Sequence, residues 1–347
     1  MIQIDILCKK YEKNIFMISV FSVPAPSFTK LQIEQILQSQ FDLDGSAKNL
    51  YGDRDQNFLI KTKKLQYVLK IFNSEEKKEV IDLQDRAINY IRKNDSDILV
   101  PLTINQKKID QNGQIYTFKL LEYLEGEFLY KKVMSINDYT NMGVFMGRLS
   151  TALIGFNHKA AYRIFEWDCR QISILKKKMN LINSKTRQDT VLFFLDEYVK
   201  NVVPFLERIR MSVIHNDGNY HNILINHRNK TFGIIDFGDI VHSYHIIEPA
   251  VAIAYIYLNN QNPFEKIYAF LKGYSFSFPL KALELKLILY FMCMRLCTTV
   301  TMSAWRKKLF PKNRYLTISE KPAWLALNKL SKCNLSQLSN DLLKNVQ

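Results

Sequence analysis

The sequence predicts an α+β chain of two lobes, in which a small antiparallel sheet is followed by a larger, mainly helical part. Two apolar strand patterns joined by a short polar turn occur early in the chain, as in a hairpin. Capped helical patterns dominate from residue 125 onward, and a second hairpin pattern at 213–239 lies within that helical part. We therefore divide the chain into an N-terminal extension of unknown role (1–26), an N-lobe (27–124) and a C-lobe (125–347).

The composition is that of an ordinary globular protein. Hydrophobic residues make up 47% and charged residues 23% of the 347 residues, which is enough for a large apolar core. The net charge of +15 is compatible with a nucleic acid or an anionic membrane as partner. The lysines are scattered, however, and we interpret the charge as a lysine-rich surface that also attracts anionic nucleotides. We expect no nucleic-acid partner and no membrane partner.

The cysteines and the apolar runs bear on location. Five cysteines occur without a C-x-x-C pair, which disfavours a disulfide framework and a zinc site and favours a reducing compartment. No apolar run approaches the roughly 18 to 20 residues of a membrane span, since the best candidate, 285–300, contains Lys286 and Arg295. We therefore expect a cytoplasmic protein.

The N-lobe is predicted to alternate helices with strands. Its elements are a helix capped by Ser27 or Thr29 and ending near Gln40, a hairpin of 57–62 against 66–72, a helix that begins at Asn73 with a capping box to Glu76, and a strand over 114–124. The second helix has an apolar stripe formed by Ile81, Ile88 and Ile91. Gln84 falls on the same stripe and is predicted to point inward.

The C-lobe is predicted to be mainly helical. Ser135-x-x-Asp138 and Thr186-x-x-Asp189 are patterns typical of helix N-termini. The predicted helices run from Ser135 to about Leu153, from Thr186 to about Arg208, over 248–258, from Pro263 to about Gly273 and from Leu280 to about Thr301, with a turn at 242–245. We expect the second hairpin to lie on this helical lobe.

The second hairpin has polar residues at the ends of its strands. Strands are predicted over 222–225 and 232–235, with a turn at 226–230. The polar residues are His215, Asp217, Asn222 and Asp236. A rigid sheet can aim such side chains at one point.

These four residues suit a phosphoryl-transfer site. Transfer from a nucleotide needs a carboxylate that accepts the proton of the attacking hydroxyl, and a divalent cation on the phosphates. Asp217 suits the base, and Asn222 and Asp236 supply the oxygen ligands that Mg²⁺ prefers. The strings H-N-D-x-x-x-x-N and D-F-G-D correspond, in order, to the catalytic-loop and metal motifs of kinases. Two ordinary solvated loops are the alternative interpretation.

With these motifs the chain resembles the aminoglycoside phosphotransferase and choline kinase superfamily of small-molecule kinases. The pattern of that superfamily is H-G-D-x-x-x-x-N followed by I-D-F/W. The resemblance implies a protein-kinase-like two-lobed fold and an enzyme that phosphorylates an alcohol group. Asn216 replaces the glycine of the pattern, and asparagine is the least costly replacement where φ is positive. His215 is expected to brace the loop by hydrogen bonding.

The resemblance also implies a nucleotide site in the N-lobe, for ATP or GTP with Mg²⁺. The loop before the first hairpin strand would cover the phosphates, with the polar side chains of Asp55, Gln56 and Asn57 in place of glycine contacts. Lys70 would hold the α- and β-phosphates. Backbone groups near Glu122 and Leu124 would meet the base. Gln84 stands where kinases have a helix glutamate, so it either hydrogen-bonds Lys70 or lines the site.

A finer resemblance is to the hydroxylysine kinase-like branch. It depends on D-R-D-Q-N-F, Q-Y-V-L-K-I, I-D-L-Q and the segment from Arg295 to Trp324. This branch implies a small hydroxylated amine as substrate, with 5-hydroxy-lysine as type substrate and GTP as donor, and a phospho-lyase partner acting in trans. The substrate candidates are Asp239, Tyr244, Glu248 and Arg295. Glu248 and Arg295 could pair with each other or with a zwitterionic substrate, and we favour the pairing with each other.

Several alternatives use the same motifs. An aminoglycoside, choline, ethanolamine or homoserine would need the same base and metal. An inactive nucleotide-binding module is the alternative that is not an enzyme, and it is favoured by Asn216 and by the missing helix glutamate. A protein kinase is disfavoured because no A-P-E segment follows D-F-G.

Overall fold

The protein is described here by a computed structural model that covers residues 19–226 and 231–347, without the side chains of 314 and 315. Most of the predicted extension 1–26 and most of the predicted turn 226–230 therefore lie outside the described residues. The architecture is the predicted one, an antiparallel sheet region followed by a mostly helical region.

The N-lobe contains a five-stranded antiparallel sheet in the order β1-β2-β3-β5-β4. The strands are β1 Ser46–Leu50, β2 Gln56–Lys61, β3 Gln66–Ile71, β4 Thr103–Gln111 and β5 Gln114–Glu122. The predicted hairpin is confirmed as β2 and β3, in a register that pairs Asn57 with Lys70. The sequence analysis missed β1 and β4 because most of their residues are exposed and lack an apolar alternation.

Two helices complete the N-lobe. Helix α1, Lys30–Phe41, is capped by Thr29 in a capping box with Gln32, which confirms the predicted cap, and it packs on the sheet through Ile33 and Leu37. Helix α2, Lys78–Asn94, begins later than predicted. Asn73 does not cap it, because the Asn73 side chain accepts from the Glu75 backbone N–H in a turn before the helix.

The C-lobe contains eight helices among the described residues. They are α3 Ile136–Ala152, α4 Ile172–Met179, α5 Lys185–Asn201, α6 Ile247–Leu258, α7 Pro263–Ser277, α8 Ala282–Leu309, α9 Glu320–Leu330 and α10 Leu335–Val346. The predicted capping of α3 by Ser135 and Asp138 is confirmed. The helix predicted from Thr186 to Arg208 is shorter than expected. Ser184 is its cap, and a 3₁₀ turn at 203–208 follows because Pro204 cannot donate a helical hydrogen bond.

Helix α8 forms the centre of the C-lobe core. It continues to Leu309, beyond the predicted end near Thr301. Among the described residues it is the one helix long and apolar enough to cross a membrane, and 94% of its apolar window is buried inside the fold. Such burial is typical of a core helix. Arg295 lies within this buried stretch and is only 2% exposed.

Short strands position the polar loops on the C-lobe. They are β6 Glu127–Phe128, β7 Met211–Ile214, β8 Ile223–Asn226, β9 Thr231–Ile234 and β10 Val241–Tyr244. The predicted hairpin is confirmed as β8 and β9. The turn predicted at 242–245 is wrong for most of its length, because this segment forms β10 and pairs antiparallel with β7. That pairing brings both ends of the 213–239 region to the same place.

Candidate active site

His215 joins the two polar loops. It follows β7 directly, and its Nε2 lies 3.1 Å from the carbonyl oxygen of Ile235, just after β9. Its Nδ1 accepts the backbone N–H of Asp217 at 3.3 Å. Burial lowers the pKa of His215 to about 4, so the ring is neutral at pH 7 and can donate from one nitrogen and accept at the other. The geometry is that of the bracing residue expected from the sequence.

Asn216 has the positive φ that its place in the motif suggested. Its φ is 67°, in the left-handed region, where asparagine is tolerated better than other side chains. Its backbone N–H donates to Glu248 Oε2 at 3.2 Å. Gly218, on the other side of Asp217, faces Met146 so closely that a Cβ would overlap the Met146 side chain. The loop is therefore fixed on both sides of Asp217.

Asp217 is held by three donors. Arg295 Nη2 donates to Oδ1 at 2.7 Å, Asn222 Nδ2 donates to Oδ2 at 2.6 Å, and Asn219 Nδ2 lies 3.0 Å from Oδ1. Burial raises the pKa of Asp217 to about 7, even though Arg295 lowers it. A carboxylate with this pKa can gain a proton near neutral pH, which is what a general base requires.

Asn222 and Asp236 offer oxygen atoms of the kind that Mg²⁺ binds. The amide nitrogen of Asn222 is engaged by Asp217, which leaves its amide oxygen as the atom for a cation. The Asp236 side chain is 53% exposed and so stays open to a ligand. Burial raises the pKa of Asp236, but the cations of Lys70 and Arg54 lower it more, so the net pKa lies below its ordinary range. The residues present therefore fit Mg²⁺.

The chain supplies few metal ligands here. Among the described residues, no group of three or more His, Cys, Asp and Glu side chains is arranged to hold a metal ion. Two protein ligands are usual for Mg²⁺ at nucleotide sites, where phosphates and water complete the coordination. The donor set thus suits a cation that arrives with a nucleotide.

Lys70 lies between two carboxylates. Its Nζ is 3.0 Å from Asp55 Oδ2 and 3.1 Å from Asp236 Oδ1. Burial lowers the pKa of Lys70, but the two carboxylates raise it more, so the side chain is cationic. Lys70 pairs with Asp55 and Asp236 and not with Gln84, which is 5% exposed and whose Nε2 donor has no hydrogen-bond partner. Kinases have a helix glutamate at the position of Gln84, and here the acidic partner of Lys70 is Asp55, from the loop before β2.

Helix α2 does place an acidic residue against the sheet, but against a different lysine. Asp85 pairs with Lys119 at 2.8 Å, and Lys119 faces Lys70 across β5 and β3. Sequence analysis did not single out this pair. Its signal was the lysine in the otherwise apolar end of β5.

The loop residues predicted to meet the phosphates point into the N-lobe. Asp55 binds Lys70 and also accepts the backbone N–H of Asn73 at 2.9 Å. Gln56 binds both backbone groups of Phe28, at 2.8 and 2.9 Å. Asn57 Nδ2 lies 3.5 Å from the carbonyl oxygen of Tyr51. Their contact with nucleotide stays a prediction, and the side chains of Asp55 and Gln56 already have partners within the protein.

The segment after β5 is the one predicted from the sequence to meet the nucleotide base. Glu122 ends β5, and its backbone N–H donates to the carbonyl oxygen of Leu102 at 2.9 Å. Its carboxylate lies 3.7 Å from Arg92. Leu124 is partly buried in the connection that follows. The roles of Glu122 and Leu124 in base binding stay predictions.

The four substrate candidates lie in different environments. Asp239 pairs with Arg54 at 2.9 Å, Tyr244 is 7% exposed in β10, and Glu248 is buried behind the Asn216 loop. Arg295 alone contacts Asp217 directly. The favoured pairing of Glu248 with Arg295 is wrong, because Arg295 donates to Asp217 and Glu248 accepts from backbone. Their contact with substrate stays a prediction.

Sequence analysis missed three residues around this cluster. Trp167 lies with its ring centroid 4.8 Å from the Arg295 guanidinium, and the Tyr255 ring is 5.8 Å away. Arg54 reaches from the N-lobe to Asp239. An arginine between two aspartates in D-R-D was the available signal for Arg54. Nothing in the local pattern distinguished Trp167 or Tyr255 from core aromatics.

Comparison with known proteins agrees with this geometry. Hydroxylysine kinase from Mus musculus is 26% identical over 88% of this chain and 90% of its own length, and hydroxylysine kinase from Bos taurus is 25% identical over 88% and 90%. Among solved structures, a microcompartment-associated aminopropanol kinase matches with a TM-score of 0.73 at 15% identity, over 91% of this chain and 99% of that one.

The family assignment depends on a longer match than any single motif. Residues 47–279 match the phosphotransferase enzyme family. That span contains Lys70, Asp217, Asn222 and Asp236, and it includes both the N-lobe sheet and the C-lobe hairpin. The chain therefore belongs to the phosphotransferase enzyme family and is a small-molecule kinase that phosphorylates a hydroxyl group.

Proposed function

We propose that this kinase transfers the γ-phosphate of GTP or ATP to the hydroxyl group of a small amino acid of the 5-hydroxy-lysine type. The observation that carries the proposal is the buried Arg295, whose guanidinium lies 2.7 Å from the carboxylate of Asp217. It places a fixed cation beside the expected base. The full-length similarity to hydroxylysine kinases supports the same acceptor class.

Each protein group in the site has a proposed role. Lys70 would hold the phosphates as a point charge, and Asn222 and Asp236 would hold Mg²⁺, which would neutralise charge on the transferred group. Asp217 orients the acceptor hydroxyl and takes its proton. Asn222 would serve twice, because its nitrogen fixes Asp217 and its oxygen would be a ligand of Mg²⁺. His215 keeps the two loops in register.

Charge supports the proposed acceptor class. Arg295 stays protonated at any physiological pH, and although it is only 2% exposed and paired with Asp217, its charge would attract a carboxylate on an acceptor bound beside Asp217. Choline, ethanolamine and aminoglycosides have no carboxylate that this charge could attract. Homoserine has the carboxylate and is the second candidate. The Trp167 ring lies beside the guanidinium and keeps it oriented.

Two further parts of the proposal concern the donor and the product. Both GTP and ATP are proposed as donors, because either would bring the same triphosphate to Lys70. The phosphorylated product carries a good leaving group, so a phospho-lyase acting in trans is a reasonable consumer of it.

The experiment is a nucleotide-consumption assay with ATP and GTP in parallel. The acceptors are 5-hydroxy-lysine, homoserine, choline, ethanolamine and an aminoglycoside, and Asp217→Asn is the inactive control. Turnover that is greatest with 5-hydroxy-lysine and lost in the variant supports the proposal. Turnover with choline or an aminoglycoside but not with an amino acid would overturn the acceptor class.

A further inference from the structure

The loop that precedes β2 has an unusual feature for a phosphate-covering loop. It has no glycine between Gly52 and β2, and its three successive charged residues each form an ion pair with a different part of the protein. Asp53 pairs with Arg306 of α8 at 2.7 Å, Arg54 with Asp239 at 2.9 Å, and Asp55 with Lys70 at 3.0 Å. Arg54 Nε also lies 3.7 Å from Glu76 Oε2, so two of the four partners belong to the C-lobe and two to the N-lobe.

Arg54 is the central residue of this arrangement. Arg54 is 6% exposed, and its partner Asp239 lies in the C-lobe, in the segment that follows Asp236. Its guanidinium lies 5.0 Å from the ring centroid of Phe21 and 5.7 Å from that of Phe165. Gly238 faces it so closely that a Cβ would overlap the guanidinium. The C-lobe thus has a fitted place for an arginine of the N-lobe.

The two neighbouring ion pairs fix the loop on either side. Arg306 donates to the side chain of Asp53 and to the backbone carbonyl of Phe21, so the start of the loop is tied to α8. Asp55 accepts the Asn73 N–H with one oxygen and binds Lys70 with the other, so its end is tied to β3. Lys70 also pairs with Asp236. A continuous series of ion pairs therefore connects α8, through the loop and Lys70, to Asp236, the proposed metal ligand.

We infer that Asp53-Arg54-Asp55 is an interlobe latch, in which Arg54 is a positioning residue that holds Lys70 over Asp236 before a nucleotide binds. In a glycine-rich loop, backbone groups close over the phosphates after they arrive. Here side-chain ion pairs set the distance between the two lobes before the nucleotide arrives. Less conformational entropy is therefore lost when the nucleotide binds. The inference depends on the nucleotide half of the proposed function and not on the acceptor.

The test measures binding of Mg²⁺–ATP and Mg²⁺–GTP by calorimetry to Arg54→Gln, Asp239→Asn and the double variant. No acceptor is needed, so an error in the acceptor class leaves this test intact. Each single change is expected to weaken nucleotide binding by about tenfold or more, as loss of supporting contacts around a metal site usually does. Arg54→Gln also loses the ion pair with Glu76, at 3.7 Å, so the double variant is expected to bind no more weakly than Arg54→Gln alone, because Asp239→Asn removes a contact that Arg54→Gln has already removed. Arg86→Gln, on an exposed helical ion pair, is the matched control.

Further readouts separate a latch from a general loss of stability. Hydrogen exchange of the nucleotide-free protein is expected to rise at 52–57 and 236–240 in Arg54→Gln and to stay unchanged in the helices of the C-lobe. In the kinase assay, KM for nucleotide should rise while KM for the acceptor does not. Unchanged or tighter nucleotide binding, or effects of the two substitutions that simply add, would overturn the inference.

Two milder variants test the proposed latch if Arg54→Gln does not fold. Arg54→Lys keeps the charge but loses the planar guanidinium, and Asp53→Asn alters the more exposed of the three pairs, where the aspartate is 32% exposed. Both are expected to fold and to bind nucleotide more weakly than the wild type. Wild-type affinity in both would refute the latch.

Discussion

The ion pair of Arg295 and Asp217 allows a quantitative prediction of how activity depends on pH. Substitution of Arg295 by glutamine removes a cation whose Nη2 lies 2.7 Å from Asp217 Oδ1. Burial holds the pKa of Asp217 at about 7 although Arg295 lowers it, so loss of Arg295 must raise this pKa further. A hydrogen bond between charged groups is worth about 1.5–3 kcal/mol, which corresponds to about 1 to 2 pKa units.

The assay is the pH dependence of kcat/KM for the acceptor at saturating nucleotide. Only ionised Asp217 can take the proton of the acceptor hydroxyl, so activity should rise with pH through a limb near neutrality. In Arg295→Gln the limb should move to higher pH by about 1 to 2 units. Arg86→Gln is the control and should leave the limb in place. A limb that does not move, or that moves to lower pH, would refute the assignment of Asp217 as a base tuned by Arg295.

Two other substitutions probe the site from different sides. Asp236→Ala should weaken Mg²⁺–nucleotide binding by at least about tenfold, because it removes a metal ligand and a partner of Lys70, and unchanged affinity in calorimetry would place the metal elsewhere. Glu248→Gln should flatten the pH dependence of stability. Burial raises the pKa of Glu248 from an ordinary 4.5 to about 7. Its contribution to the free energy of unfolding is therefore fully present below about pH 4.5, and about 3 kcal/mol of it is lost as the pH rises to about 7. Urea unfolding of both proteins at pH 5 and pH 8 checks this, and an identical pH dependence would contradict it.

The local patterns of the sequence predicted much of the frame. The helix caps at Thr29 and Ser135 and the hairpin of β2 and β3 depend on contacts within a few residues, so they could be predicted from the local sequence. The β8–β9 hairpin and the positive φ at Asn216 follow from turn chemistry and from the family pattern. These features carry the motif residues, and they explain why the motifs were found.

What sequence analysis missed depends on contacts between distant parts of the chain. A hydrogen bond from Lys70 to Gln84 of helix α2 was one of two alternatives, but the partners of Lys70 are Asp55 and Asp236. Asp55 also accepts the backbone N–H of Asn73, where the chain turns before the helix. Arg295 is 78 positions from Asp217, and a pattern along α8 shows only that the arginine is buried. Strand β10 is too short, at four residues, to be distinguished from a turn without its partner β7.

The most direct test of the account is to follow the phosphorylated product itself. Wild type, Asp217→Asn and the exposed control Asp196→Asn would be incubated with 5-hydroxy-lysine and each nucleotide. Phosphorus NMR would detect the phosphomonoester, and calorimetry would measure nucleotide binding by the same samples. We expect product from the wild type and the control, and no product from Asp217→Asn, which should still bind nucleotide nearly normally. Substantial product from Asp217→Asn would contradict the central claim that this carboxylate receives the proton of the acceptor hydroxyl.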